Sequence, residues 1–321
     1  MRRGGRLASA VLFMAGVWCI YPAGVCRAES IAEELAFSTA SSPDLRLLPY
    51  RSATAVDDGS PWRSSPVGLG TPAGMASRAL NGSTIHWERA FAWAGSNAAA
   101  MIIAYRQSQA VWGESRGKFH FKDDLRGDGM AFNDEVSHLF AAYRLTGALN
   151  AGYRWIGMEP ESARRASALE AWLWTLAVEF PIDAYNPDQG FGVSDLVANT
   201  IGVLAAHQRA GQADPLWDVK LSVKPSFFNG RSRVIAHTNQ QYDDYIYWLT
   251  VRPVRSRWIP LAVGVGYSTT HGEYPKLTKE IHIGLGTSLD RVAALIAPSL
   301  ARYLQPLNFY FFNLGGKIAW R

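Results

Sequence analysis

The sequence predicts an α+β protein, with an N-terminal helical bundle of about four helices followed by an antiparallel β region of five or six strands. Three observations predict this class. Apolar stretches of helical length fill positions 87–209, and three of them contain two polar residues spaced four apart. After Pro215 the spacing changes, and large apolar residues alternate with polar or small ones, as in strands that bury one face.

The first 28 residues are expected to be removed on export. Three arginines form a positive start, an uncharged apolar run extends from Leu7 to Ile20, and a small residue, Ala28, precedes the predicted cut. This pattern is typical of a secretory signal peptide. The run is shorter than the ~20 apolar residues of a membrane-spanning helix. Lipidation at Cys26 is disfavoured, because Val25 stands where a small residue normally precedes a modified cysteine.

The composition of the exported chain narrows the classes of partner. Four of the 32 Lys and Arg residues lie in the signal segment, which leaves 28 against 27 Asp and Glu. A nearly neutral chain without a basic patch that includes aromatic residues does not indicate nucleic-acid binding. Both cysteines, Cys19 and Cys26, also lie in the signal. An exported chain without cysteines suits a bacterial periplasm or outer membrane.

We divide the remaining chain into three parts. Residues 29–81 are rich in Ser, Pro, Gly and Ala and are expected to form a partly disordered linker. Residues 82–212 form the helical core, and residues 213–321 form the antiparallel β region. The heavy aromatic load of 12 Trp, 13 Tyr and 14 Phe suits a large core and also a membrane interface.

Four helices are predicted, over positions 87–111, 133–155, 162–182 and 194–209. Ser162 and Ser194 are the expected N-caps of the third and fourth helices. Pro181 is expected to end or kink the third helix. Together these segments predict a packed bundle, because charged and polar residues interrupt each of them.

The β region is predicted from alternation, which is clearest at positions 217–223, 245–251, 259–267 and 281–285, with a last strand within 308–320. Strict alternation favours antiparallel strands with one buried face, and we expect this sheet to pack on the helices. An outer-membrane-integrated β protein is the alternative that the same runs leave open.

The polar pairs within the helices are Asp134 with His138, Glu179 with Asp183, and Asp195 with Asn199. Residues four apart project from one face of a helix. A buried, unpaired carboxylate costs several kcal/mol, so three apolar helices are most stable if their polar pairs face one another. The sequence therefore predicts a shared polar cluster inside the bundle.

Each pair also has a simpler explanation. Asp134 can cap its helix while His138 is a half-buried histidine with a satisfied ring, and Glu179 and Asp183 can be solvated carboxylates at a helix end. Asn199 is harder to explain in this way, because it lies among Leu, Val, Ala and Ile and needs a partner.

The segment 134–143 resembles the D-K-x-x-H-F-x-x-Y signature of VanZ-like proteins, with Glu135 in the place of the usual lysine. Glu179 and the segment 194–202 are similar to the later E and S-x-D-x-x-A-N-x-x-G elements of that family, in the same order. The segment 119–124, Phe-His-Phe-Lys-Asp-Asp, resembles the related YfiM-type predicted periplasmic lipoproteins. The resemblance covers about two-fifths of the chain and implies a helical envelope protein with a shared polar cluster.

Three functions remain open on the sequence alone. The first is an exported cell-envelope protein, contacting a membrane surface or envelope lipid, whose cluster is structural or binds a polar headgroup. The second is a metal-dependent or acid–base hydrolase or transferase acting on envelope lipid or cell-wall material. The third is an outer-membrane-integrated β protein. The candidate site residues are His138, Asp134, Glu179, Asp195 and Asn199.

Under the hydrolase alternative, the metal ligands would be His138, Glu179 and Asp195. The sequence contains no G-x-S-x-G element, no H-E-x-x-H zinc motif and no phosphate-binding glycine loop. It indicates no particular cofactor and no particular protein partner.

Overall fold

The computed structural model describes residues 84–122, 131–212, 214–229, 242–254, 256, 258–271, 277–297, 301, 304 and 307–320. All of them belong to one compact unit. The predicted signal peptide and linker lie outside the described residues, as do Asp123 and Asp124 of the family-like segment.

Five α-helices and a five-stranded antiparallel sheet are described, so the predicted α+β class is confirmed. The helices are α1 (Trp87–Trp112), α2 (Asn133–Trp155), α3 (Pro160–Ala177), α4 (Val193–Ala210) and α5 (Leu289–Ile296). The first four correspond to the predicted helices. Helix α5 lies inside the region that the sequence pattern assigns to strands.

The starts of α3 and α4 differ from the predicted N-caps. Helix α3 begins at Pro160, where the missing N–H of proline costs nothing. The side chain of Glu159 accepts hydrogen bonds of 3.0 Å from the backbone N–H groups of Glu161 and Ser162, so Glu159 is the cap. Helix α4 begins at Val193, after Gly192.

The end of α3 follows the predicted effect of Pro181. The α-helix stops at Ala177 and continues as a π-helical turn over Val178–Ile182, followed by a short 3-10 turn over Asp183–Tyr185. Phe180 leaves the helical region, with φ −142° and ψ 117°. This irregular turn leaves Glu179 almost completely buried, and such turns are frequent at functional sites.

Helix α2 lies at the centre of the helical layer and packs against α3, α4 and the sheet. Gly202 of α4 lies against the carbonyl oxygen of Leu139 in α2, where there is no room for a Cβ atom. The apolar contact between α2 and the sheet is made by Phe140 and Tyr143 with Leu221 and Tyr247.

The strands are β1 (Trp217–Val223), β2 (Tyr245–Val251), β3 (Ala262–His271), β4 (Leu277–Thr287) and β5 (Phe312–Trp320). They pair with their neighbours in chain order, all antiparallel. The free edge of β1 is also paired, because Leu221 N–H donates to Phe309 O and Phe311 N–H donates to Leu221 O, each at 2.8 Å. The segment that leads into β5 therefore returns to β1.

On β3 and β4 the buried face of the sheet is the one that carries the small residues. On β3 and β4 the large aliphatic residues are about half exposed, whereas the alternating glycines are buried. A Cβ atom on Gly266 would lie 2.8 Å from the ring of Trp248, and one on Gly264 would lie 3.0 Å from the ring of Phe311. Glycine is needed on this face because Trp248 and Phe311 fill the space in front of it.

The outward face forms a continuous aliphatic patch. The register places Leu249 beside Val265 and Val265 beside Ile283, while Leu285 lies between Val263 and Leu314. We call this surface the outer sheet face, and its members are Leu249, Val251, Val263, Val265, Ile283, Leu285, Leu314 and Ile318. Within the described segments, no helix combines the length and hydropathy that are needed to cross a bilayer.

Candidate functional site

The structure brings the five candidate residues of the helical layer together. The first two turns of α2 place Asp134 and His138 on one face, with 3.7 Å between His138 Nε2 and Asp134 Oδ1. The π turn after α3 places Glu179 Oε1 3.5 Å from His138 Nδ1. From α4, Asn199 Nδ2 donates to the same Glu179 oxygen at 3.3 Å.

Lys122 connects the remaining carboxylate to this group. Its ammonium lies 2.8 Å from Asp134 Oδ2 and 3.0 Å from Asp195 Oδ2. The ionic cluster therefore consists of Lys122, Asp134, His138, Glu179, Asp195 and Asn199. Lys122 is absent from the predicted site residues, although it belongs to the family-like segment 119–124, which is the sequence signal for it.

Backbone hydrogen bonds hold Lys122 in place. His120 N–H donates to Ala184 O. Lys122 N–H donates to Phe191 O at 3.0 Å, and Phe191 N–H donates to His120 O at 2.9 Å. Gly190 has φ +88°, and a Cβ atom there would lie 2.8 Å from the backbone nitrogen of Lys122. The segment that carries Lys122 is thus paired with the chain between Glu179 and α4.

The sheet side of the molecule also contributes to the cluster. The buried hydroxyl of Tyr242 hydrogen-bonds to Asp134. The neighbouring residue of Asp134, Asn133, is fully buried and donates from Nδ2 to Thr269 Oγ1 at 2.7 Å and to Tyr242 O at 3.2 Å. The start of α2 is therefore tied to β3 by polar contacts that alternation in the sequence does not reveal.

The surroundings of His138 favour its charged form. Burial opposes the charge, but the carboxylates of Asp195, Asp134 and Glu179 outweigh burial and raise the pKa of His138 to about 9. Burial also opposes the charge of Lys122, whose pKa is nevertheless raised by Asp134 and Asp195. Two cations therefore face the carboxylates at neutral pH.

The carboxylates of the cluster respond differently to this environment. Burial favours the neutral form of Asp134, but His138 and Lys122 outweigh it and hold the pKa of Asp134 below its usual value. Burial dominates at Glu179 and raises its pKa to about 8, and it raises the pKa of the nearby Asp183 to about 6. The pKa of Asp195 is raised by burial as well.

Two buried acceptors of the cluster accept no hydrogen bond from the described residues. They are Asp195 Oδ1 and Asn199 Oδ1, one helical turn apart on α4. A buried acceptor without a partner costs about 1–3 kcal/mol. Such a cost is offset when a bound group donates a hydrogen bond to the oxygen.

A metal ion is a second possible occupant. Asp134, His138 and Asp195 each offer a ligand atom, and these three atoms lie within 4.8 Å of one another. The ligand set expected from the sequence under the hydrolase alternative contains Glu179 where this set contains Asp134. Two features oppose metal binding: the Lys122 ammonium already lies between the two aspartates, and His138 must lose its proton before it can bind a metal.

Exposed aromatic rings lie next to the cluster. Phe119 is within 6.5 Å, centroid to centroid, of the rings of Phe121, Phe180, Tyr185 and Phe191. Phe121 directly precedes Lys122, and Phe180 directly follows Glu179. Phe119, Phe121 and Phe180 are 44%, 63% and 46% exposed. We call these five residues the aromatic collar.

The histidines of the β region have carboxylate partners of their own. His271 Nδ1 lies 2.9 Å from Asp243 Oδ1, and His282 Nε2 lies 3.2 Å from Glu280 Oε2. Neither of them is part of the ionic cluster. His207, near the end of α4, contacts the backbone carbonyl of Arg164.

Comparison with known proteins identifies a family whose model matches part of the chain. Residues 120–210 match the family described as predicted periplasmic lipoproteins (DUF2279). No curated protein and no solved structure matches the chain. The matched segment contains every residue of the ionic cluster, and the family description supports an exported, periplasmic protein of the cell envelope.

Proposed function

We propose that this exported protein contacts envelope lipid and binds a lipid headgroup in the ionic cluster. The observation that supports it most directly is the position of the cluster, in which two buried acceptors that receive no hydrogen bond from any described residue lie beside the exposed aromatic collar. Polar groups at this depth suit a headgroup, and exposed aromatic rings suit the boundary between headgroup and acyl chains.

The chemistry of the cluster restricts the headgroup. Asp195 Oδ1 and Asn199 Oδ1 need hydrogen-bond donors, so the ligand must present an ammonium group or hydroxyl groups. Lys122 and His138 balance the negative charges of the aspartates, and their side chains retain 27% and 20% of their exposure. The cluster is therefore open to a ligand on the side of these two cations.

The outer sheet face is the second lipid contact in this proposal. Its aliphatic side chains are 42–86% exposed, a patch that soluble monomers rarely show. On β5 the same face begins with Phe312 and ends with Trp320, with Leu314 and Ile318 between them. An aliphatic band with aromatic residues at both ends is typical of strands that contact lipid. This proposal places the protein at a membrane, with the outer membrane as the candidate.

The headgroup proposal is tested with vesicles and the mature protein starting at Glu29, so that no acyl chain at Cys26 contributes. We expect stronger binding to phosphatidylcholine vesicles that contain phosphatidylethanolamine than to phosphatidylcholine alone. In the Asp195→Asn variant, the ratio of the two affinities should be about tenfold smaller, because one charge-assisted hydrogen bond is removed.

The matched control for that variant is Asp188→Asn, which makes the same chemical change at an exposed carboxylate. It should bind like the unchanged protein. If Asp195→Asn keeps its fold and the full preference for the ethanolamine headgroup, the cluster is a structural core and the headgroup proposal is wrong.

The sheet contact is tested separately. Val265→Lys combined with Leu314→Lys adds charges on two strands that are not neighbours, at positions 52% and 86% exposed. A lysine in the apolar part of a bilayer costs roughly 2–4 kcal/mol, so vesicle binding should fall at least tenfold. Leu169→Lys with Leu173→Lys, on the exposed side of α3, is the control. An equal loss in both variants would contradict a specific role for the sheet.

A metal-dependent or acid–base hydrolase is the second candidate, supported by the ligand geometry of Asp134, His138 and Asp195. Elemental composition of the purified mature protein, beside a His138→Ala variant of verified fold, decides between the two. A near-stoichiometric metal that the variant loses would place the hydrolase first. Absence of metal from both would leave the hydrogen-bonded cluster.

The likeness to VanZ-like proteins leads to a further proposal about the helical layer. The residues that carry it, Asp134, His138, Glu179, Asp195 and Asn199, come from three separate elements and meet in one cluster. We propose that α2, α3 and α4 share the helical arrangement of that family. A structure of a VanZ-like protein in which the corresponding side chains lie apart would overturn this relationship.

A further inference from the structure

Strand β5 is the least covered strand of the sheet. Eight of its nine residues are exposed. It pairs with β4 along one edge, and no described strand pairs with its other edge. The opposite edge of the sheet is covered, because Leu221 of β1 is paired with Phe309 and Phe311. The uncovered edge of β5, which we call the outer edge, is therefore a place where the sheet can accept a further strand.

The outer edge lacks most of the features that keep edge strands from pairing. Strand β5 contains no proline, and its pairing with β4 continues without a bulge from Phe312 to Trp320. Lys317 is its only charged residue, and lysine often protects an edge. The ammonium of Lys317 donates to Glu280 of β4, which holds this side chain over its own sheet. The main-chain groups of the outer edge are thus left accessible.

The sequence of β5 is nearly symmetric about Gly316. Large apolar residues stand at Phe312 and Leu314 before it, and at Ile318 and Trp320 after it, at the same separations. All four lie on the side of β5 that belongs to the outer sheet face. When two such strands pair antiparallel with Gly316 opposite itself, Leu314 of each lies opposite Ile318 of the other. Phe312 then lies opposite Trp320, and opposed pairs of this kind stabilise antiparallel strands.

We propose that a second copy of this chain pairs with the outer edge of β5, antiparallel and with Gly316 on the two-fold axis. The two five-stranded sheets then form one sheet of ten strands. Antiparallel pairing over nine residues gives about eight to ten main-chain hydrogen bonds, as many as a typical protein interface has.

Other registers of the same two strands are less favourable. A shift by one residue would turn the two outer sheet faces to opposite sides of the joined sheet. A shift by two residues in one direction would place Leu314 opposite Gly316 and leave Trp320 without an apolar partner. With Gly316 opposite itself, Lys317 lies opposite Gly315, so no two charges of the same sign are directly opposed.

This pairing keeps the two outer sheet faces on one side, because the two-fold axis is perpendicular to the sheet. Both copies can therefore contact one lipid surface. The edge contact alone involves nine residues of each copy, whereas a stable interface involves about 20–30 a side. The dimer is therefore weak in dilute solution and is strengthened when lipid confines both copies to one plane. That strengthening rests on the proposed lipid contact, but the pairing itself does not.

The proposal is tested by disulfide formation in the mature protein starting at Glu29, which contains no cysteine. Gly316→Cys places two thiols opposite each other at the two-fold axis, where Cα atoms about 4.5–5.5 Å apart can be joined by a disulfide. A Cβ atom at Gly316 would have no other atom within 4 Å, so this variant should keep the fold.

The matched control is Gly147→Cys, at an exposed glycine of α2 where a Cβ atom also has free space. Both variants are bound to phosphatidylcholine vesicles that contain phosphatidylethanolamine and are treated with a mild oxidant. Gly316→Cys should form disulfide-linked dimers about tenfold faster or more than Gly147→Cys, because pairing raises the local concentration of its thiol. Non-reducing electrophoresis measures the two rates.

The register is tested with single cysteines at Leu314 and Ile318. Leu314→Cys alone should cross-link as slowly as the Gly147→Cys control, because the two copies of residue 314 are roughly 13 Å apart along the strands. A mixture of Leu314→Cys and Ile318→Cys proteins should cross-link as fast as Gly316→Cys. If Leu314→Cys alone cross-links as fast as Gly316→Cys, the copies associate without a defined register and the proposal is wrong.

Co-sedimentation with vesicles separates failure of the pairing from failure of the lipid contact. If Gly316→Cys sediments with vesicles but cross-links no faster than Gly147→Cys, the pairing is wrong and the lipid contact stands. If it does not sediment with them, the lipid contact is wrong, and the same comparison at high protein concentration in solution decides on the pairing. Slow amide exchange along β5 without a Gly316 disulfide would assign the outer edge to a segment of the same chain and would contradict a second copy.

Discussion

The imidazole of His138 lies 3.7 Å from Asp134 Oδ1 and 3.5 Å from Glu179 Oε1, and these contacts determine how the ionic cluster responds to pH. The pKa of His138 is raised from 6.5 to about 9 and that of Glu179 from 4.5 to about 8. In both cases the folded protein binds a proton that the unfolded chain releases. Near-neutral and alkaline conditions therefore weaken the fold.

The first prediction concerns this pH dependence. The stability from His138 is complete below pH 6.5 and is lost as the pH rises through about 9, and the shift at Glu179 acts in the same direction above pH 4.5. We expect the free energy of unfolding to be lower at pH 9 than at pH 6 by on the order of 3 kcal/mol. Denaturant unfolding at the two pH values measures it.

The control for the pH prediction is a pair of histidine variants. His138→Gln should reduce the dependence between pH 6 and 9, whereas His207→Gln, whose ring contacts a backbone carbonyl, should preserve it. A protein whose stability rises from pH 6 to pH 9 would contradict the assigned protonation states.

The second prediction concerns Lys122. Its ammonium separates two buried carboxylates, so Lys122→Met leaves Asp134 and Asp195 without their shared cation. Loss of one partner from a buried ion pair costs about 3–5 kcal/mol, and we expect a loss in that range. Adding Asp195→Asn should recover part of this loss, and a double-mutant cycle in denaturant measures the coupling.

The control for Lys122 is Lys118→Met, which makes the same change at an exposed site and should change stability little. Equal losses of stability in Lys122→Met and Lys118→Met would contradict the bridging role of Lys122.

Among the structural elements, α2 and α4 cross in close contact at Gly202. Gly202 has no room for a side chain because it lies against Leu139 O, whereas Gly147 of α2 has no atom within 4 Å of a Cβ position. The same substitution should therefore have opposite effects at the two sites. This contrast separates helix propensity from packing.

The third prediction uses that contrast. Gly202→Ala should destabilise the protein by about 1–3 kcal/mol, because the two helices must move apart. Gly147→Ala should stabilise it by up to about 1 kcal/mol, because alanine is the better helix former. Thermal unfolding of both variants measures the difference. If Gly202→Ala raises the melting temperature as Gly147→Ala does, the helices are not in contact at this point.

The helical elements show which contacts of the cluster residue spacing can predict: the pairs on α2 and α4 each lie on one helix, whereas the break at Phe180 separates Glu179 from Asp183. A spacing of four residues fixes the face of a helix on which a pair lies, and the energetic cost of burying a carboxylate predicts that the pairs meet. Lys122 follows neither rule. It lies in a loop segment, and pairing with the chain at Phe191 places it in the cluster. A contact between loops has no period in the sequence that could predict it.

The strands show where the same reasoning fails. Alternation predicts the strands, and it identifies the large residues of β3 and β4 as one face of the sheet. It does not say which face is covered. Trp248 and Phe311 cover the glycine face. Phe311 lies in the segment before β5, more than twenty residues along the chain from the glycines of β3 and β4. The aliphatic face is therefore exposed for a reason that local sequence does not contain.

At the scale of the whole molecule, the distribution of charge and apolar surface is unusual. Ionic groups such as Asp218, Lys220 and Glu280 are buried, while the outer sheet face is exposed. Helix α4 shows the same distribution, because Asp195 and Asn199 point inward and a stripe of aliphatic residues is exposed on the other side. These are Val193, Val197, Ile201 and Leu204, each 50–60% exposed. The proposed lipid contact would cover this apolar surface.

The last prediction follows from the exposed aliphatic surface of the mature protein. Without lipid or detergent, the outer sheet face should drive self-association, because burying it removes apolar area from water. Sedimentation velocity should show species larger than a monomer that grow with protein concentration and disappear in mild detergent. Val265→Lys combined with Leu314→Lys should shift the population toward the monomer, whereas Leu169→Lys with Leu173→Lys should shift it less. A discrete dimer that persists in detergent and dissociates only in the Val265/Leu314 variant would identify a second copy, rather than lipid, as the partner of this face.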